Sequence, residues 1–232
     1  MSEHMALENL TVLDLTRVLA GPFCTMMLAD MGANVIKIEV PKGGDDTRSY
    51  PPFRAKNLNG ERESVYFANI NRNKKGITLN LKAPEGKEIF KELVKKADIV
   101  VENYRPGVMD KLGLGYDVLK EINPRIIYAA VSGFGCYGPY HLRPGYDILA
   151  QAMGGMMSIT GSKGGEPTRA GSALGDILGG LHVTIGILAA VNARTITGKG
   201  QRVDVSLMDS MIAATENTAL KYIETGNIPA PM

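Results

Sequence analysis

The stretch that decides the fold is residues 11–39, which read TVLDLTRVLAGPFCTMMLADMGANVIKIE. Residues 11–16 are rich in β-formers, a glycine–proline turn follows at 19–22, and residues 23–31 have helical periodicity. Strand-like alternation returns over residues 32–39. This order predicts a β-α-β unit, in which two parallel strands are joined by a crossover helix.

The same alternation continues along the chain. It predicts further strands at residues 77–81, 98–102, 125–131 and 201–207, and helices at 84–96, 147–157, 177–192 and up to about 225. Strands that alternate with helices favour an α/β fold, a Rossmann-like parallel sheet flanked by helices.

The sequence divides into three segments. Residues 1–6 are interpreted as a leader or tag, and residues 7–225 as one large α/β domain that binds the ligand and carries the chemistry. Residues 226–232, GNIPAPM, have the composition of a linker. We therefore expect a small C-terminal domain that the chain lacks.

Composition narrows the class of function. The 232 residues are 44% hydrophobic and 22% charged, with a formal net charge of +2, which disfavours a nucleic-acid partner. Two cysteines and three histidines, Cys24, Cys136, His4, His141 and His182, show no metal-ligand spacing, so no metal is expected. No signal peptide or long uninterrupted apolar run is found, which predicts a cytoplasmic protein without membrane contact.

A dinucleotide site is the first alternative that the β-α-β unit raises. Glu39, at the end of the second predicted strand, stands where such proteins bind a ribose. Ala20-Gly21-Pro22 lacks the spaced glycines, however, and the proline removes an N–H group, so NAD(P) is disfavoured. The basic residues, Arg48 and Lys74 included, are individually expected at the surface, and collectively they could hold a phosphorylated carrier.

Asp176 is a lone carboxylate in the uncharged run AGSALGDILGGL at residues 170–181. A charge among small apolar residues needs hydrogen-bond partners, which the start of a helix supplies. Asp176 is therefore either a nucleophile or a simple helix N-cap. Asp147, which follows RPGY and precedes another predicted helix, leaves the same N-cap alternative open.

Seven motifs together resemble the CaiB/BaiF family of class III CoA-transferases. They are LDLTRVLAGP at 13–22, GANVIKIE at 32–39, NRNKKG at 71–76, DIVVEN at 98–103, RPGYD at 143–147, GD at 175–176 and TGKGQ at 197–201. The resemblance runs from about residue 7 to the end. It implies the large domain of such an enzyme, with coenzyme A as carrier, no metal, and an interlocked homodimer when the chain is full length.

The resemblance implies that Asp176 attacks an acyl-CoA, forms a mixed anhydride and then an aspartyl-CoA thioester, and passes CoA to a carboxylic acid. The implied CoA site comprises Arg17, Val18, Ala20, Leu79, Lys82, Asn103, Tyr104, Val108 and Lys111. Val40, Pro41 and Ser132 stand where the family has basic residues, so Lys42 and Arg143 are the substitute candidates for the phosphates. Tyr146 and Asp147 are placed in the substrate pocket.

Two other functions stay open. Acyl-CoA racemases of the same family use a histidine and an aspartate as paired bases. Tyr146 stands at the position of that histidine, and a phenol, with an ordinary pKa of about 10, is a poor base at neutral pH. The chain could also be a non-catalytic CoA-binding module.

Overall fold

A single parallel sheet organises the part of the chain that the computed structural model describes, residues 4–54, 60 and 62–231. Its strands are β1 (Thr11–Asp14), β2 (Asn34–Glu39), β3 (Lys75–Thr78), β4 (Ile99–Glu102), β5 (Ile127–Ser132) and β6 (Arg202–Ser206). Their order across the sheet is β3-β2-β1-β4-β5-β6, and every pairing is parallel. This is the Rossmann order, and it confirms the predicted α/β fold.

Helices cover both faces of the sheet. They are α1 (Ala20–Asp30), α2 (Val65–Ile70), α3 (Pro84–Val94), α4 (Val108–Lys111), α5 (Tyr116–Ile122), α6 (Asp147–Met153), α7 (Met156–Ile159), α8 (Leu174–Thr197), α9 (Leu207–Ala214) and α10 (Thr218–Thr225). Helices α1, α8 and α9 pack on one face, and α3 and α5 on the other. Neighbouring residues such as Ile99 and Val100 point to opposite cores, because side chains alternate along a strand.

Two helices begin three residues earlier than predicted, and the reason is the same for both. Helix α1 begins at Ala20 rather than at residue 23, and α8 begins at Leu174 rather than at residue 177. Pro22 lies in the first turn of α1, where the missing N–H group would have no intrahelical partner. The proline and glycines that suggested loop turns before these helices are thus tolerated within the first helical turns of α1 and α8.

Other boundaries shift as well. The predicted helix at 147–157 is two helices, α6 and α7, because Gly155 has a φ of 85°, which ends any continuous helix. Strand β3 occupies Lys75–Thr78 instead of residues 77–81, and its exposed position at the sheet edge explains the weak pattern. Helix α8 extends to Thr197, five residues beyond the predicted end at 192.

The predicted segments outside the large domain are only partly described. Residues 1–3 of the predicted leader and residue 232 of the predicted linker lie outside the described residues. Residues 226–231 form neither helix nor strand. Leu7 donates its N–H to the Met31 carbonyl at 3.0 Å, which ties the start of the predicted domain to the end of α1.

Helix α8 is long and apolar enough, by length and composition alone, to cross a membrane. In this fold it packs against α1, β5, β6 and α9 and buries Val183, Ile187 and Ala190 in the core. Core helices of α/β proteins pass the same test of length and composition.

Candidate active site

The site lies where the strand order reverses, between β1 and β4. In such sheets a crevice forms at the carboxyl ends of the strands at this point. The loops after β1, β4 and β5 line a cleft of about 370 Å³ there, together with the start of α8. A second cleft, of about 540 Å³, extends past the ends of β2 and β3 and shares Arg17, Tyr104 and Val108 with the first.

The structure brings most of the predicted site residues together. The first cleft is lined by Arg17, Val18, Ala20, Asn103, Tyr104, Val108, Arg143, Tyr146 and Asp176. Lys42, Leu79 and Lys82 line the second cleft. Lys111 is exposed on α4 and lines neither, and Asp147 is buried behind the first cleft. The roles assigned to these residues stay predictions.

Asp176 is the third residue of α8 and not its N-cap, so the N-cap alternative is wrong. The N-cap residue is Ala173, whose methyl side chain cannot accept a hydrogen bond from the N–H groups of the first turn. Within the described residues, the Asp176 carboxylate accepts no hydrogen bond. Burial raises the pKa of Asp176 to about 7, and the charge of Asp147 adds to that rise. The carboxyl group is therefore available to a ligand and titrates near neutral pH.

Asp147 does not cap its own helix either. The N-cap of α6 is Tyr146, and the Asp147 side chain turns towards α8 instead. Its Oδ1 atom accepts a hydrogen bond from the Gly175 N–H at 2.8 Å. Its Oδ2 atom accepts one from Gln151 Nε2 at 2.8 Å. Tyr146, by contrast, is 70% exposed and faces the cleft.

The loop between β1 and α1 is held in an unusual conformation. Val18 has a φ of 68°, which is rare and costly for a β-branched residue. The Val18 N–H donates to Asp45 Oδ1 at 3.2 Å. Arg17 and Asn103 exchange two hydrogen bonds, from Arg17 N to Asn103 Oδ1 at 2.9 Å and from Asn103 Nδ2 to the Arg17 carbonyl at 2.7 Å. These contacts fix the wall of the cleft between β1 and β4.

Comparison with known proteins identifies the family to which the chain belongs. The sequence profile of CoA-transferase family III matches residues 7–232. The chain belongs to CoA-transferase family III. It is 47% identical over 230 residues to succinyl-CoA:mesaconate CoA-transferase from Haloarcula marismortui, covering 97% of this chain and 57% of that protein. It is 48% identical over 224 residues to acetyl-CoA:oxalate CoA-transferase from Acetobacter aceti, covering 96% of this chain and 56% of that protein.

A solved structure agrees with these matches. The crystal structure of a CaiB/BaiF family protein from Brucella suis superposes on this family III chain with a TM-score of 0.94 at 44% identity. The match covers 99% of this chain and 60% of that one. The resemblance inferred from the seven motifs is thereby confirmed. The chain spans little more than half the length of these relatives.

Two buried ion pairs beneath the site of this family III chain were missed. Lys74 Nζ lies 3.1 Å from Asp14 Oδ2, and Lys37 Nζ lies 2.9 Å from Asp45 Oδ2, with all four side chains at most 2% exposed. The expectation that Lys74 is a surface charge is therefore wrong. Its Nζ also donates to the Pro22 carbonyl of α1 at 3.0 Å. Lys74 belongs to the NRNKKG motif, but the motif itself does not indicate these buried partners.

Glu39 is committed to a partner within the protein. Arg48 donates to both of its carboxylate oxygens, at 2.8 and 2.6 Å, and the Asp45 N–H donates at 2.8 Å. Burial opposes ionisation of Glu39, but Arg48 and the Asp45 N–H hold its pKa below the usual range. Glu39 therefore forms a structural ion pair that anchors the loop after β2 at the wall of the second cleft.

Tyr66 on α2 is a further residue that the motifs did not indicate. Burial raises its pKa to about 12, and the charge of Asp176 is the next contribution. Its hydroxyl group is therefore within electrostatic reach of the candidate nucleophile. No local pattern around residues 65–70 signals this electrostatic coupling, because Tyr66 and Asp176 are 110 positions apart in the sequence.

Proposed function

We propose that this chain carries the CoA-binding and nucleophilic part of a CoA-transferase, which moves CoA from an acyl-CoA thioester to a carboxylic acid. The observation that carries the proposal is the Asp176 carboxyl group. It lines the cleft, accepts no hydrogen bond from the described residues, and has a pKa of about 7. A carboxylate that is desolvated but unpartnered is a suitable covalent nucleophile.

The first step joins Asp176 to the donor. A carboxylate oxygen attacks the thioester carbonyl carbon, the C–S bond breaks, and CoA leaves as its thiolate while a mixed anhydride forms. Gly175 cannot stabilise the oxyanion of this step, because its N–H is already bonded to Asp147. The Asp176 N–H has no acceptor within the described residues and is the better candidate donor.

The second step returns CoA to the protein. The thiolate attacks the aspartyl carbonyl carbon of the anhydride, which releases the donor acid as a carboxylate and leaves an aspartyl-CoA thioester. The acceptor carboxylate then attacks this thioester, and the two steps run in reverse order. One thioester is exchanged for another, so the cycle needs no external energy source and no metal.

We propose that the carrier occupies both clefts, whose walls share Arg17, Tyr104 and Val108. The pantetheine arm would run past Val18 and Ala20 towards Asp176, since these residues line the same cleft. The phosphates would lie near Lys42 and Lys82, which are exposed on the wall of the second cleft. Lys111 lines neither cleft, and we therefore propose that it does not contact CoA directly.

We propose a dicarboxylic acid as the acceptor. The names of both relatives compared above specify dicarboxylates, mesaconate and oxalate. Arg143 supports this assignment, because it lines the cleft beside Tyr146 and is held over the Tyr140 ring at 4.1 Å. Its guanidinium group could bind the carboxylate that does not react.

Transfer and racemisation are distinguished by one assay. Transferase chemistry breaks no C–H bond, so we expect no exchange of α-deuterium between an acyl-CoA and solvent. The same incubation, supplied with an acceptor acid, should produce the acceptor's CoA thioester. Rapid α-exchange without thioester transfer would instead support a racemase, and CoA binding with neither reaction would support a binding module.

An interlocked homodimer is proposed from the family resemblance. Helix α8 exposes apolar residues on its outer face, with Ile185 62% and Ile196 82% exposed. A second copy of the chain would cover such residues. Light scattering across a dilution series of the full-length protein tests this assembly, because a monomer at all concentrations would contradict it.

A further inference from the structure

Helix α8 is held at its first turn by a side chain from another helix. Asp147 Oδ1, on α6, accepts the Gly175 N–H at 2.8 Å, and Gly175 directly precedes Asp176. Ala173, the N-cap of α8, offers no side-chain acceptor. An N-cap acceptor normally comes from the helix itself. Here α6 supplies it, so the position of the Asp176 turn depends on the packing of α6 against α8.

Gln151, one turn further along α6, completes the arrangement. Its Nε2 atom donates to Asp147 Oδ2 at 2.8 Å and to the Ser172 carbonyl at 3.2 Å. Its Oε1 atom accepts the Ala170 N–H at 2.9 Å. Gln151 is fully buried, and both ends of its amide are used. The loop that enters α8 is therefore anchored by the same helix that anchors its first turn.

The packing at this point leaves little room for movement. A Cβ atom on Gly175 would lie 3.2 Å from Ala150 Cβ and 3.2 Å from Asp147 Oδ1. That spacing is tighter than most contacts between real Cβ atoms. The glycine before Asp176 is thus what lets α8 approach α6 closely enough for the hydrogen bond.

We propose that Asp147 and Gln151 form a clasp of positioning residues that fixes the first turn of α8 and, through it, the direction of the Asp176 carboxylate. The inference rests on the proposed role of Asp176 as nucleophile. It reassigns Asp147, which the sequence placed in the substrate pocket, to the support behind that pocket. Asp147 is buried and does not line the cleft, so it reaches the ligand only through α8.

The clasp also acts on Asp176 through charge. Asp147 on α6 and Tyr66 on α2 interact with Asp176 through charge, and the ionisable residues that line the same cleft are Arg17, Arg105, Arg143 and Tyr146. Arg169 lies 3.9 Å from Asp147 Oδ2 and offsets part of its charge. After burial, the charge of Asp147 is the contribution that raises the pKa of Asp176. Removing that charge should lower the pKa.

The test separates the geometry from the charge. Asp147→Asn keeps an oxygen acceptor and removes the charge, Asp147→Ala removes both, and Gln151→Ala removes the second half of the clasp. Asp117→Asn, an exposed acid in the first turn of α5, is the matched control. In each variant of the full-length protein we would measure amide exchange of Gly175 and Ala170, the carboxyl-carbon NMR titration of Asp176, and steady-state transfer.

We expect Asp147→Ala to speed amide hydrogen exchange of Gly175 by about tenfold or more, because the Gly175 N–H loses its hydrogen bond to a charged acceptor. The kcat of transfer should fall by a similar factor, while the KM for acyl-CoA changes little. Asp147→Asn should keep Gly175 protected but move the Asp176 titration to lower pH. Gln151→Ala should expose the Ala170 N–H to exchange, and the control should match the parent throughout.

Unchanged Gly175 exchange in a folded Asp147→Ala variant would overturn the clasp. If that variant does not fold, the other two decide: Asp147→Asn with the parental Asp176 titration and Gln151→Ala with parental Ala170 exchange would also overturn it. Failure of the proposed function gives a different signature. Asp176→Ala would then retain transfer, while the exchange and titration results still judge the clasp.

Discussion

Asp176 is costly to the folded protein when it is ionised. Burial raises its pKa from the ordinary 3.8 to about 7, so the folded state holds this proton more tightly than the unfolded chain does. Stability from this group therefore falls as pH rises through that window, and the full cost is present above it. The proposed nucleophile must be ionised to attack, so the proposal implies that this charge is kept at a cost to the stability of the fold.

Asp176→Asn tests this cost because it removes the ionisation and keeps the shape. The variant should be more stable than the parent at about pH 9, by on the order of 4 kcal/mol, and nearly equal to it at about pH 3. Urea denaturation at the two pH values measures the difference. Glu102, whose burial also raises its pKa to about 7, titrates in both proteins and cancels. A variant with no greater advantage at high pH than at low pH would show that Asp176 is not desolvated.

The sequence predicted the residues of the site better than their partners. The cleft-lining residues on both sides of the β1–β4 crevice, and Asp176, were named from the family resemblance that the seven motifs carry, and local pattern alone left Asp176 open as an N-cap. The bond from Gly175 to Asp147 joins residues 28 positions apart, and the pair of Lys74 with Asp14 spans 60. Contacts of that range depend on how helices pack, which no periodicity records.

Two loops cross at the mouth of the first cleft with almost no space between them. A Cβ atom on Gly133, after β5, would lie 2.3 Å from the Cα atom of Gly145, in the loop before α6. Both residues line the cleft beside Tyr146. The backbone of one loop therefore sets the position of the other, which carries Arg143 and Tyr146.

Gly133→Ala should push these loops apart, because the obstacle is backbone and cannot rotate away. Overpacking of this kind costs about 1–3 kcal/mol. We expect a lower melting temperature and weaker CoA binding. Gly171→Ala is the control, since a Cβ atom there meets nothing within 4 Å. Equal stability of the two variants would contradict the close crossing.

Elements were predicted more reliably than their ends. Each predicted strand is present, since apolar runs between helices are a strong signal. The ends failed where a residue has two uses: Pro22 suggested a turn but lies in the first turn of α1, and Gly154-Gly155 ends α6 within a run that otherwise has helical periodicity.

At the scale of the whole molecule, the two clefts share Arg17, Tyr104 and Val108 in their walls, and Asp176 lines only the first. Lys42 and Lys82 line the second cleft and Lys111 lines neither. Calorimetry should find CoA affinity reduced in Lys42→Ala and Lys82→Ala, by about 1 kcal/mol each and less at high salt. Lys111→Ala is the internal control and should bind as the parent does. Loss of affinity only in Lys111→Ala would move the phosphate site onto α4.

Trapping the covalent intermediate tests the central proposal most directly. The full-length protein would be incubated with an acyl-CoA and hydroxylamine, digested and analysed by mass spectrometry. Because only an anhydride or thioester is electrophilic, hydroxylamine should convert Asp176, and no other acid, to a hydroxamate, and only when acyl-CoA is present. Turnover without modification of Asp176, or modification at another residue, would contradict the account.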